Sequence, residues 1–116
     1  MGSSFENTVI LITREGMGFA DKALQHKILD SYLRLLVEND SLPRAICFYT
    51  NGVKLVIEGS PLLKRLLQIE QKGVRLIICS TCLDFFKVTD KVRIGVVGGM
   101  PDIIEAQVKA EKVISL

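Results

Sequence analysis

Tryptophan is missing from this 116-residue chain, histidine occurs once, proline three times, and seven residues are aromatic, five Phe and two Tyr. So few rings leave no platform for stacking the bases of single-stranded nucleic acid. A single histidine, His26, cannot build a His-rich metal cage, and no Ser-His-Asp set can be assembled around it. Long apolar runs are also missing: none approaches the roughly 20 residues that cross a bilayer. Met1 to Asn7 has neither the basic start nor the apolar centre of a secretory leader. The expectation is a cytoplasmic protein with no membrane partner. Nor is there an excess of one charge. Fifteen Lys and Arg stand against thirteen Asp and Glu, a net +2, which gives no broad basic surface for nucleic acid. The glycine-bearing stretches 14-REGMG-18 and 95-GVVGG-99 match neither G-x-G-x-x-G nor a Walker sequence, so no nucleotide cofactor is expected.

What is present is a compact, apolar composition. Hydrophobic residues make up 48% and charged residues 24%, enough to bury both faces of a sheet within one domain spanning residues 1–116. Val9 to Ile12, Ala45 to Tyr49, Val74 to Cys79 and Val92 to Val97 are apolar almost throughout, the pattern of strands buried on both faces. Val113 to Leu116 adds a short fifth. Between them lie helical patterns. One begins near Asp21 with Leu24, Ile28, Tyr32, Leu35 and Leu36 on its core face and ends before Leu42-Pro43. Another starts at Ser60-Pro61 and stops at Gly73, with Leu63, Leu66, Leu67 and Glu70 marking its faces. A short turn of helix covers Thr81 to Phe86, and a last helix opens where Asp102 and Glu105 resemble a capping box. Val53 to Ile57 fits helix and extended chain equally. Strands alternating with helices imply a parallel α/β sheet covered on both faces.

In such sheets ligands bind beyond the carboxyl ends of the strands. Three loops fall there: 14-REGMG-18, 50-TNGVK-54 and 79-CSTC-82. Cys79 ends its strand and Cys82 enters the next helical turn. Unpaired N–H groups near Ser80 and Thr81, the helix dipole, and positive charge from Arg14 and Lys54 are the features that lower a thiol's pKa. A pair three apart in a reducing compartment is open to several readings: a zinc clamp, a redox couple, a sulfur-handling nucleophile, or buried thiols. Zinc needs further cysteines or histidines, and His26 falls on the solvent side of its predicted helix. A thioredoxin-type couple lacks its flanking aromatic and its cis-proline. Cys47, inside a strand pattern, reads as a core residue.

The passages 48-FYTNGVKLVIEGSPLL-63, 72-KGVRLIICSTCLDFF-86 and 111-EKVISL-116, in this order and spacing, resemble the DsrE-like domain of the YedF group of sulfurtransferase-like proteins. The resemblance runs from 9-VILIT-13 to the end of the sequence. It implies a three-layer α/β/α sandwich with a mainly parallel five-stranded sheet. It also implies sulfur carried as a persulfide on Cys79, with Cys82, the second cysteine of a CxTC pattern, as resolving or relay thiol. Asn51, Gly52, Lys54, Ser80, Thr81 and Arg14 would form the walls of the site, without metal or cofactor. Relatives form homo-oligomers, often trimers or hexamers, and some exchange sulfur with TusA-like carriers. YedF proteins usually carry an N-terminal TusA-like domain with its own Cys-Pro motif, whereas residue 9 already falls in the DsrE-like part. The carrier is then a separate protein or the role differs. The alternative functions are a non-catalytic oligomeric interaction module and a thiol-disulfide sensor.

Overall fold

The computed structural model describes residues 5–116; the first four residues, which contribute to the leader reading, lie outside the described residues. Five strands form one sheet: β1 (Thr8–Ile12), β2 (Ala45–Phe48), β3 (Arg75–Cys79), β4 (Val96–Gly98) and β5 (Lys112–Ser115). All neighbours are parallel, in the order β4-β3-β2-β1-β5. β1 and β2 are buried at every residue, which is why their sequences are apolar without alternation.

Helices α1 (Lys22–Glu38) and α2 (Leu63–Gln71) pack on each other, and α3 (Ser80–Phe86) and α4 (Met100–Lys109) follow β3 and β4. The crossovers from β1 to β2 to β3 run in one direction, whereas β4 to β5 runs back across the sheet. Right-handed connections therefore place α1 and α2 on one face and α4 on the other. Among the described residues, no helix is long and apolar enough to cross a membrane.

Three boundaries differ from the sequence expectation. The stretch from Val92 is not yet strand: Val92 bridges Ile57 in antiparallel fashion, and the Arg93 N–H donates to the Val56 carbonyl at 2.9 Å. Gly95, at φ +85°, then turns the chain into the sheet, its N–H held by the Glu70 carboxylate at 2.9 Å. Helix α2 begins two residues after Pro61, because the Ser60 hydroxyl accepts the Leu62 N–H in a turn that precedes it. Helix α4 begins at Met100, with the Asp102 carboxylate accepting the Gly99 N–H at 2.9 Å. The cap is thus one turn earlier than Asp102 and Glu105 suggested.

The core face of α1 is Gln25, Leu29 and Leu33, with Tyr32 and Leu36 half-buried beside it, while Leu24, Ile28 and Leu35 are exposed. Gln25 occupies a buried position because its side-chain amide donates to the Gly18 carbonyl at 2.7 Å. On α2 the buried residues are Leu66 and Ile69, and Leu67 is exposed.

Candidate functional site

The carboxyl ends of β1, β2 and β3 are tied together through one residue, Thr50. It opens a 3₁₀ turn (Thr50–Leu55) just after β2, so the ambiguous segment is helical as far as Leu55, while its last residue, Ile57, bridges Val92. Its hydroxyl donates to the Thr13 carbonyl at 2.7 Å, just past β1, and lies at the same distance from the Tyr49 carbonyl. Its backbone N–H donates to Cys82 Sγ at 3.0 Å, in the first turn of α3 beyond β3. Thr50 has φ +48°, an uncommon value for a β-branched residue, and this left-handed geometry accompanies the N–H contact with the sulfur. The close fit continues at Gly52, which is buried: a Cβ there would overlap the Ile12 carbonyl oxygen.

The two thiols occupy different environments. Cys79 ends β3 at 2% exposure, whereas Cys82, in α3, is half-buried. Cys82 accepts the Thr50 N–H and lies near enough to Cys79 for the two side chains to interact. Burial pushes the Cys82 thiol up; the Thr50 N–H pulls it down, and the hydrogen bond and charge of Cys79 add to the upward push. The lowered thiol expected from a helix field is therefore not found at Cys82. Desolvation outweighs the backbone donor, and that donor comes from the neighbouring loop. Cys47 is fully buried in β2, as its position in an apolar run suggested, and burial pushes its thiol up to about 11 against the opposing charge of Arg75.

Cys82 opens onto an almost wholly apolar depression of about 280 Å³, lined by Thr50, Asn51, Thr81, Cys82, Phe85 and Phe86. Phe85 and Phe86 meet edge to face at 5.4 Å. The Lys54 ammonium sits 4.3 Å from the centre of the Phe86 ring, a cation–π contact that holds its charge at the rim. Of the residues expected to wall the site, Asn51 and Thr81 line this depression, Lys54 borders it, Ser80 separates Cys79 from Thr81, and Gly52 shapes the turn. Arg14 is placed elsewhere. It stacks 5.8 Å from the Phe19 ring in a separate depression of about 580 Å³, which shares Asn51 with the thiol side.

His26 is half-buried. It lines a third depression, of about 460 Å³, together with Glu15, Lys22, Lys54 and Phe86. The one-residue rotation of α1 relative to its predicted face turns His26 toward this rim. Among the described residues, no group of three or more His, Cys, Asp and Glu side chains converges. Sequence reasoning missed Thr50, Phe85 and Phe86. The phenylalanines stand three and four positions after Cys82, the spacing that puts helical residues on a shared face.

An all-parallel α/β domain with a thiol pair at its carboxyl edge is thus the class that the geometry defines. The chain belongs to the DsrE/DsrF-like family, which residues 12–116 match. Solved structures share the fold. A protein of unknown function, MTH1491 from Methanobacterium thermoautotrophicum, aligns with a TM-score of 0.72 at 22% identity, over 96% of this chain and 99% of that one. The ychN protein from E. coli aligns with a TM-score of 0.75 at 18% identity, over 96% and 99%. BT1422, a conserved protein of unknown function from Bacteroides thetaiotaomicron, gives 0.67 at 18%, over 100% and 98%. No curated protein sequence matches the chain.

Proposed function

We propose that the chain accepts sulfane sulfur at the Cys79–Cys82 pair and passes it to an acceptor thiol. The family's general association with sulfur relay supplies the class of chemistry. The observation that carries the reading is local. Two free thiols interact at the carboxyl edge of the sheet, and one of them receives a backbone N–H and faces a cavity. A thiolate of the pair attacks the outer sulfur of a donor persulfide, and the donor leaves as its thiolate. An acceptor thiolate, such as that of a TusA-like carrier, then removes the outer sulfur and restores the pair. The family resemblance assigns the carried sulfur to Cys79, with Cys82 as resolving or relay thiol. Mass spectrometry of the reduced chain after exposure to inorganic polysulfide tests the reading. One added sulfur, or the Cys79–Cys82 disulfide left when it is expelled, is expected on the wild type and neither on the Cys79→Ser/Cys82→Ser double variant. Equal loading of both proteins would overturn it.

A second reading, a non-catalytic module that assembles with copies of itself, is favoured by apolar surface on β4 and α4. Val96 and Val97 are exposed on an edge strand, and Met100, Ile104 and Val108 form an exposed stripe at helical spacing. The two readings are compatible, because the stripe does not include the thiol depression.

A further inference from the structure

We infer that Cys82 is the thiol that receives sulfur from the donor, with Cys79 standing behind it as the resolving thiol. This rests on the sulfur-relay reading and reverses the order that the family resemblance implies for the pair. Three observations support it independently. The first is access: Cys79 is 2% exposed and does not line the depression onto which the half-buried Cys82 opens. A persulfide adds a second sulfur atom beyond Sγ, and the depression of about 280 Å³ provides that room at Cys82.

The second is the donor at 3.0 Å. The Thr50 N–H points at Cys82 Sγ, where it stabilises negative charge during attack and again when the sulfur leaves. The Thr50 donor favours the anion on Cys82, in opposition to the burial that raises its thiol. The third is the wall. Phe85 and Phe86 present ring faces and edges to the same space, a surface suited to polarizable sulfane sulfur and poorly suited to a charged substrate body.

The steps balance. The Cys82 thiolate attacks the outer sulfur of a hydropersulfide, RSSH. A bond forms between Cys82 Sγ and that sulfur, the donor S–S bond breaks, and its electron pair leaves with the donor as a thiolate. No net oxidation occurs. An acceptor thiolate can take the outer sulfur by the same exchange. Where no acceptor arrives, Cys79 attacks Cys82 Sγ. A Cys79–Cys82 disulfide forms and hydrosulfide leaves, the two thiols losing two electrons and the sulfane sulfur gaining them.

The test uses the full reduced chain with inorganic polysulfide, stopped at short times by alkylation and read by fragment-ion mass spectrometry, because both cysteines fall on the tryptic peptide Leu76–Lys87. Cys79→Ser is expected to load Cys82 at the wild-type rate or faster, and Cys82→Ser to load about tenfold more slowly or worse, since exchange requires access. A second measurement needs no substitution: with limiting iodoacetamide, the wild type should be alkylated at Cys82 before Cys79. Rapid loading of Cys82→Ser, or first alkylation at Cys79, would overturn the assignment and leave the sulfur-relay reading standing. A wild type that gains neither the added sulfur nor the Cys79–Cys82 disulfide would overturn both.

Discussion

Cys47 and Cys82 are both pushed up by burial, but their surroundings give the shift different consequences. Cys47 has no access to solvent, and its thiol stands at about 11 against an ordinary value of 9.0. An acid held more weakly ionised in the folded state favours folding while protonated. Its contribution is fully present below about pH 9 and is lost as pH rises toward 11, on the order of 2 kcal/mol. Tyr32, also raised by burial, acts in the same direction, so the wild type alone cannot isolate the thiol. Cys47→Ala should cost about 1 kcal/mol at neutral pH by leaving a small cavity, yet lose less stability than the wild type on alkalinisation. Urea midpoints of both proteins, measured at about pH 8 and about pH 10.5, check the difference in slope. Parallel losses would exclude Cys47 as a source. At Cys82 the neighbouring thiol is part of the cause. Cys79 raises it both by hydrogen bonding and by charge, so Cys79→Ala should move the pH dependence of Cys82 alkylation to lower pH. An unmoved profile would remove the coupling between the sulfurs.

Elements, not isolated residues, decide where those thiols stand. The 3₁₀ turn (Thr50–Leu55) can deliver the Thr50 N–H to Cys82 because Gly52 lets it settle against the end of β1. Gly52→Ala forces a Cβ into the Ile12 carbonyl, and because the obstacle is backbone, the turn must lift. The expected cost is about 1–3 kcal/mol, with faster alkylation of Cys82 as its cover moves away. Urea unfolding and timed alkylation read the two effects, and stability matching the wild type would show that the turn is not fixed there.

The same level explains what the sequence disclosed. β1, β2 and β3 were legible because burial on both faces demands continuous apolar runs, and the loops after them followed from parallel topology. The core face of α1 was misread because Leu24, Ile28 and Leu35 offer a competing apolar stripe, and the buried position belongs to a glutamine satisfied by a loop carbonyl. The Val92 segment has strand-like residues but spends its hydrogen bonds on an antiparallel bridge. Thr50 was beyond reach for a related reason: its contacts to Thr13 and Cys82 join positions 37 and 32 residues apart, and no local pattern records them.

At the scale of the whole molecule, the sheet is closed by neither of its edges. β4 is one edge, three residues long, and its outer row of backbone groups faces no strand among the described residues. Edge strands in monomers are commonly guarded by charge, proline or a covering element. Here the edge carries Val96 at 65% exposure and Val97, and α4, which packs on β3 and β4, adds Met100, Ile104 and Val108 on a single exposed stripe. On the self-assembly reading proposed above, a second copy of the chain would pair β4 and cover apolar surface of the same kind in one step. Ile104→Glu places a charge at the centre of the α4 stripe. Because Ile104 is already half exposed, the variant should keep the wild-type urea midpoint within about 0.5 kcal/mol of folding stability per chain while reducing self-association about tenfold or more. Light scattering across a dilution series measures the second quantity. Association unchanged by both Ile104→Glu and Val96→Lys would place the contact elsewhere, and a wild type that stays monomeric at every concentration would remove this surface as an oligomer interface.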